Sequence, residues 1–244
     1  MDENIFNKKF GKTFNNFNPE EIDTDDVINA VFIVDISPSI SSYEDYLNDA
    51  YNKFIERIQK GHVADNLMLS TISFNHEISI LHGFQPVMNV QPQTFRGSGQ
   101  GTALYEAVEA GLKNAIDYRE ELDKTGVNHK TLVYIITDGE DNSGGRNGYS
   151  PDLAAASRVK ELIQEETKRN EKRAFSFNTI LFGVGSDTSF DEAAKLLGID
   201  KVAKVGQNGV DENSIYKMID FISSSISSTS SGGDPNDIPN DINF

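Results

Sequence analysis

Short uninterrupted apolar runs recur along this chain, and between them apolar residues return at every third or fourth position. "AVFIVD" (30–35) is a run of the first kind, as expected of a strand covered on both faces. From Tyr43 to Gln59 the period becomes helical, with Leu47, Ala50, Phe54 and Ile58 on one side. Ser41 with Glu44, and Ser42 with Asp45, have capping-box or acidic first-turn spacing there. "LMLSTISF" and "EISILHGF" flank Asn75-His76 and predict a hairpin. A Gly-rich loop follows, and then Leu104, Ala107, Val108, Gly111, Leu112 and Ala115 share a helical face. "TLVYIIT" (131–137) is a second buried strand, ending at Asp138. Pro151 fits the first turn of another helix, continued by Leu153, Ala156, Val159 and Ile163. "FNTILFGVG" is a strand, "SFDEAAKLLG" a short helix and "KVAKVG" a brief strand, before a last helix carrying Ile215, Met218, Ile219 and Ile222.

Strands separated by helices of this length predict an α/β fold: a doubly wound, Rossmann-like, mostly parallel sheet of about six strands. Helices cover both faces, and the hairpin supplies one antiparallel edge strand. In such sheets ligands bind beyond the carboxyl ends of the strands, where the winding reverses. The domain is expected over residues 29–226. Residues 1–28 form a polar extension bearing Phe6, Phe10, Phe14 and Phe17, read as docking on the domain, with docking on a partner as the alternative. Residues 227–244 are rich in Ser, Gly, Asn and Asp and carry Pro-Asn-Asp-Ile twice, at 235–238 and 239–242. That composition predicts a flexible tail. A docking peptide is the alternative, since Ile238, Ile242 and Phe244 would otherwise be exposed.

Composition narrows the function classes. A formal charge of −16 over 244 residues argues against nucleic-acid binding and fits cationic ligands, basic partners or a metal. The absence of cysteine excludes disulfides, thiolate nucleophiles and Cys-ligated zinc. Neither a signal-peptide core nor a membrane span is visible, so a cytoplasmic protein is the expectation.

Three features fall where the topology would place a ligand: Asp35-Ile36-Ser37-Pro38-Ser39, Thr102 at the end of "GSGQGT", and Asp138-Gly139. Each has a plain structural explanation. Serines and threonines cap helices, and Asp-Gly is a common turn. Taken together, Asp-x-Ser-x-Ser, an isolated Thr in a Gly-rich loop, and Thr-Asp-Gly at a strand end resemble the ordered signature of a von Willebrand factor A domain over roughly residues 29 to 226. "VDISPS", "GQGTALYEAV" and "YIITDGED" carry that resemblance.

The resemblance implies that Asp35, Ser37, Ser39, Thr102 and Asp138 form a metal-ion-dependent adhesion site, with no catalytic residue. All five offer oxygen, which suits a hard cation, Mg²⁺ in the first place and Mn²⁺ or Ca²⁺ as alternatives. Two carboxylates and three neutral hydroxyls leave a coordination position for water or for an acidic side chain of a protein partner. Glycines 97, 99 and 101 would let the loop bring Thr102 close. Many members of that family have Gly where this chain has Pro38, which biases Ser37 toward an extended backbone. Glu140 and Asp141 are read as rim or solvent-facing residues.

The function implied is a metal-dependent protein-binding module, an adaptor or assembly component of the kind found in intracellular bacterial or phage relatives, including stress-response clusters. Neither nucleic acid nor membrane is among the expected partners. A structural subunit with an incidental metal is the alternative. A metal-dependent phosphohydrolase finds less support, because Ser37 stands where a second aspartate would be needed and no nucleophile elbow, P-loop or zinc-protease motif occurs.

Overall fold

The computed structural model describes residues 14–143, 150–170, 177–186, 189–234 and 237–244. Its strands are β1 Asp26–Asp35, β2 Leu67–Phe74, β3 Ile78–Pro86, β4 Asn128–Thr137, β5 Phe177–Val184, β6 Lys201–Val205 and β7 Asp241–Asn243. They form one sheet in the order β3-β2-β1-β4-β5-β6-β7. Only the β2–β3 pair is antiparallel; every other neighbouring pair runs parallel.

The helices are α1 Glu44–Gln59, α2 Leu104–Thr125, α3 Leu153–Asn170, α4 Ser189–Leu197 and α5 Glu212–Ser230. The period-two alternation of the central strands sends side chains into two cores. Phe32, Val34, Tyr134 and Phe182 meet α1 and α5 on one face. Val31, Ile33, Val133 and Leu181 meet α2, α3 and α4 on the other. Because both faces are covered, β1 and β4 read as nearly continuous apolar runs. From β1 the chain winds outward through β2 and β3, then returns to β4 and winds the other way. The crevice of a doubly wound sheet therefore lies between the carboxyl ends of β1 and β4.

The structure departs from the sequence expectations in three places. Of the two expectations for the start of α1, Glu44 and Asp45 do lie in its acidic first turn, but the capping boxes do not form: the hydroxyls of Ser41 and Ser42 donate instead to the carbonyls of Pro38 and Ser39, at 2.8 and 3.5 Å. Glu44 accepts the Gly97 N–H at 2.7 Å, tying α1 to the Gly-rich loop. Pro151 precedes the first turn of α3 rather than opening it, and Asp152 caps the helix through the N–H groups of Ala154 and Ala155.

The largest departure is the tail. The serine-rich run continues α5 to Ser230, because Ile222 and Ile226 stay on its buried face. Ser225 hydrogen-bonds the Tyr134 hydroxyl at 2.6 Å beneath it. Tertiary burial overrides the linker-like composition here. The last residues add β7 to the sheet, and Ile238, Ile242 and Phe244 pack against the α1/α5 core. Phe244 meets Phe221 at a centroid distance of 5.6 Å.

At the other terminus Phe14 and Phe17 pack against the α2/α3 core, and the Phe17 N–H donates to the Phe84 carbonyl at 2.6 Å. Phe6 and Phe10 lie outside the described residues.

Removing residues 239–244 is expected to destabilise the protein by about 1–3 kcal/mol, the range of a lost packed element. Hydrogen exchange should quicken at the amides of Val202 and Gly206, which donate to the carbonyls of Asn240 and Phe244. Unchanged exchange at both amides would show that β7 contributes nothing to the fold.

Candidate metal centre

Asp35 is the last residue of β1 and is 1 % exposed. Both of its oxygens are held. Oδ1 accepts the Ser37 backbone N–H at 2.8 Å, and Oδ2 accepts the Thr137 hydroxyl at 2.7 Å. Burial pushes the carboxyl up to about 6; the Thr137 and Ser37 bonds work against that rise and the Asp138 charge adds to it.

The hydroxyls continue outward from this anchor. Ser37 Oγ and Ser39 Oγ are 2.9 Å apart, and Ser39 donates to Asp138 Oδ1 at 2.8 Å. Ser37 is buried while Ser39 is exposed, so the chain of oxygens leads from the floor of the crevice to its mouth. The backbone of Ser37 is extended, with φ −62° and ψ 163°, as the following proline requires. Tyr43, 3 % exposed, hydrogen-bonds Asp138 from below; burial first, and then the two nearby aspartates, hold its phenol far above the usual range.

These bonds decide against the plain capping explanation. Ser37 stands at the N-cap of the 3-10 turn Pro38–Ser42 but makes no side-chain cap, and neither does Tyr43 at the start of α1. The N-cap of α2 is Ala103, not Thr102, and it too lacks a side-chain cap.

Thr102 approaches from the third loop. Its N–H donates to Asn142 Oδ1 at 2.6 Å, and its carbonyl accepts the Asn142 N–H at 2.9 Å. This two-bond clamp fixes it to the loop that carries Asp138. The Thr102 residue is 6 % exposed, and its hydroxyl makes no hydrogen bond to the other four candidates among the described residues. Hydrogen bonds thus join Asp35, Ser37, Ser39 and Asp138 directly, whereas Thr102 is held beside them through its backbone.

Two glycines permit this approach. A Cβ on Gly97 would meet Ser41 Oγ at 2.5 Å, and one on Gly101 would meet Asn142 Oδ1 at 2.7 Å. Asn75 closes the third side, accepting the Ala103 N–H through its carbonyl at 2.6 Å and donating its amide to Ser98.

Asp141 is not a rim residue. It is 1 % exposed and accepts the Tyr105 and Asp152 N–H groups at 3.2 and 2.7 Å, and the Ser143 hydroxyl. It supplies from a distance the N-terminal cap that Ala103 cannot give α2, and it joins α2 to the entry of α3. Burial raises its carboxyl, and these donors work against the rise. Glu140, by contrast, is exposed, as expected.

The donor set fits a hard divalent cation: two carboxylates and neutral hydroxyls, all oxygen, at the mouth of an acidic crevice. Among the described residues, no three His, Cys, Asp or Glu side chains gather into a metal cluster; this centre would rely on two carboxylates and its hydroxyls.

No protein-family model matches the sequence, and no curated protein matches it either. Solved structures do share its fold. The open form of the pilus adhesin SpaC from Lactobacillus rhamnosus GG superposes with a TM-score of 0.60 at 12% identity, over 84% of this chain and 30% of that one. A mutant PilB minor pilin from Streptococcus sanguinis gives 0.58 at 11% identity, over 88% and 65%. Proximal thread matrix protein 1 from the mussel byssus, with a zinc-occupied MIDAS motif, gives 0.54 at 13% identity, over 83% and 48%. The fold is von Willebrand factor A-like. This chain spans less than two thirds of the length of each of these proteins.

The two buried aspartates are expected to respond oppositely to neutralisation. In metal-stripped protein at pH 7, Asp35→Asn should stabilise by roughly 3 kcal/mol, the cost of holding a carboxyl charged when its folded-state value is about 6 rather than 3.8. Asn can still accept the Ser37 N–H, and Thr137 can turn to accept from the new amide. A carboxyl raised in the folded state confers stability that is fully present below its unfolded value and lost as pH rises through its folded value. The advantage of Asp35→Asn should therefore vanish between pH 6 and pH 4 in paired thermal melts. Asp141→Asn should instead destabilise by roughly 2 kcal/mol, because its amide would face an N–H donor.

Proposed function

We propose that this domain is a divalent-metal-dependent protein-binding module, with Asp35, Ser37, Ser39, Thr102 and Asp138 holding the ion. The observation that carries this reading is the continuous path of hydrogen-bonded oxygens from Asp35 through Ser37 and Ser39 to Asp138. It sits at the reversal of winding and is not used to cap any helix.

Mg²⁺ is the ion of choice, with Mn²⁺ and Ca²⁺ as alternatives, because every donor is a hard oxygen. When bound, the ion would supply a Lewis-acidic coordination position facing solvent, which an acidic side chain of the partner protein would fill. The chain's own residues do the rest. Thr137 and the Ser37 N–H fix the direction of the Asp35 carboxylate, the Asn142 clamp places Thr102, and Tyr43 steadies Asp138. Such a device grips a partner and needs no nucleophile.

The structural-subunit alternative draws less support. Among the described residues, the features that would suit it are engaged inside the fold: Phe14 and Phe17 pack on one core, and Ile242 and Phe244 on the other.

Calorimetric titration of Mg²⁺ and Mn²⁺ into metal-stripped protein tests the proposal. Saturable binding near one ion per chain is expected in the wild type and absent in Asp35→Ala. At a hundredfold excess over Kd the ion should stabilise the wild type by about 2.7 kcal/mol and leave Asp35→Asn unchanged. Equal binding by Asp35→Ala would place the ion elsewhere and sink the assignment.

A further inference from the structure

Residues 93–97 run along α1, held there by a ladder of its side chains. Asn48 accepts the Phe95 N–H at 2.6 Å and donates to the Phe95 carbonyl at 2.8 Å. One turn on, Asn52 does the same for Gln93, at 2.9 Å in both directions. One turn back, Glu44 accepts the Gly97 N–H. These three positions recur at every fourth residue and so share a face of the helix. Past Gly97, the Ser98 N–H donates to the Ile36 carbonyl at 2.9 Å, and a Cβ on Gly97 would meet the Ser37 carbonyl at 3.2 Å. The backbone is thus fixed on either side of Arg96, one position away from the wall of the crevice.

Arg96 itself is exposed, and among the described residues it makes no hydrogen bond, ion pair or ring contact. The other described arginines are all paired: Arg57 with Asp220, Arg119 with Glu166, Arg158 with Glu109 and Arg169 with Glu120. The chain has 38 acidic residues against 22 basic ones, so a carboxylate for Arg96 is not in short supply. Its guanidinium is left free beside the crevice although its backbone is clamped. Asp45, next to Glu44, and Glu140, two residues beyond Asp138, are exposed acids. Like charge of that kind turns an acidic partner away from wrong placements, while a bound ion and Arg96 attract it.

We propose that Arg96 is a second anchor for the partner, so that the metal centre selects a segment bearing two acidic side chains. One completes the shell of the ion, and the other is taken by the guanidinium of Arg96. This rests on the metal reading above and adds to it the chemistry of the partner. The planar fork of an arginine matches a carboxylate with two parallel N–H···O bonds, which a lysine ammonium does not. An anchor on a backbone already fixed has less freedom to lose on binding.

The test uses the full ¹⁵N-labelled chain loaded with Mg²⁺ and titrated with N-acetylated, C-amidated peptides. Each carries two aspartates separated by none to three glycines, and in the controls one aspartate is replaced by asparagine. At least one two-acid peptide is expected to bind about fivefold tighter than both of its controls, the upper range for an exposed ion pair. Arg96→Gln should abolish that advantage while leaving Mg²⁺ affinity, control-peptide binding and the melting temperature unchanged. Arg96→Lys, which keeps the charge but not the fork, should restore only part of it. With Mg²⁺ bound, no saturable peptide binding, or equal affinity for one-acid and two-acid peptides, would overturn the proposal. So would a two-acid advantage that survives in Arg96→Gln alongside tighter Mg²⁺ binding, the mark of an arginine that only screens the crevice's own acids. Peptide binding that persists in EDTA or in Asp35→Ala would overturn the metal reading, and with it the pairing of the ion and Arg96.

Discussion

The parallel pairing of β1 with β4 is the constraint on which the ligand-facing end depends. Nine registered residue pairs, from Asp26 with Asn128 to Val34 with Ile136, bring two distant segments to the same level. Asp35 and Thr137 then emerge side by side, although 102 positions separate them in sequence. The bond between them turns the Asp35 carboxylate toward the Ser37 N–H, and the serines follow from there. A slip of one residue in this pair would send every strand side chain to the wrong core. The two apolar layers that stabilise the sheet therefore also fix the geometry of the crevice.

Burial shapes the electrostatics of that end in two ways. Asp35 and Asp141 are equally buried, and both carboxyls are raised by loss of water. Asp141 faces three donors that knit α2 to the approach of α3, so its charge is used within the fold. Asp35 also has donors, the Thr137 hydroxyl and the Ser37 N–H and hydroxyl, but unlike Asp141 it has a second carboxylate, Asp138, beside it that raises it further. A cation would offset that repulsion, whereas at Asp141 it would have to displace existing bonds. The distinction lies in what each carboxylate touches, not in its depth.

Much of this was legible in the sequence, and the remainder was not for identifiable reasons. Apolar runs and helical periods gave the element order, because burial on two faces leaves a strong local trace. Asp35, Ser37, Ser39, Thr102 and Asp138 stood out only as a set, because their order resembles the signature of a von Willebrand factor A domain; singly, each looks like an ordinary turn or cap residue. Thr137 was noticed only as the first residue of Thr-Asp-Gly, and its bond to Asp35 was not, since a threonine closing a strand looks like ordinary β propensity. Tyr43 resembled one more core aromatic, and Asn142 and Asn75 resembled loop polar residues. Their roles depend on partners far away in sequence. Asp141 was misread as a rim residue because two consecutive acids in a loop look solvated; its donors come from two different helix starts. The tail was misread because serine composition says nothing about whether a buried isoleucine stripe runs through it.

β7 has a consequence for how the molecule can be handled. It runs parallel to β6, so Phe244 leaves the sheet at the same end as Asp35 and Asp138. Four strand spacings separate it from β1, on the order of 20 Å. A dye, affinity handle or fused domain joined at Phe244 would thus be delivered beside the crevice rather than behind it. Such an attachment would make a short-range distance reporter for whatever docks there, and a long or acidic one would compete for the docking face. Labels meant to leave that face clear belong on the exposed surface of α3.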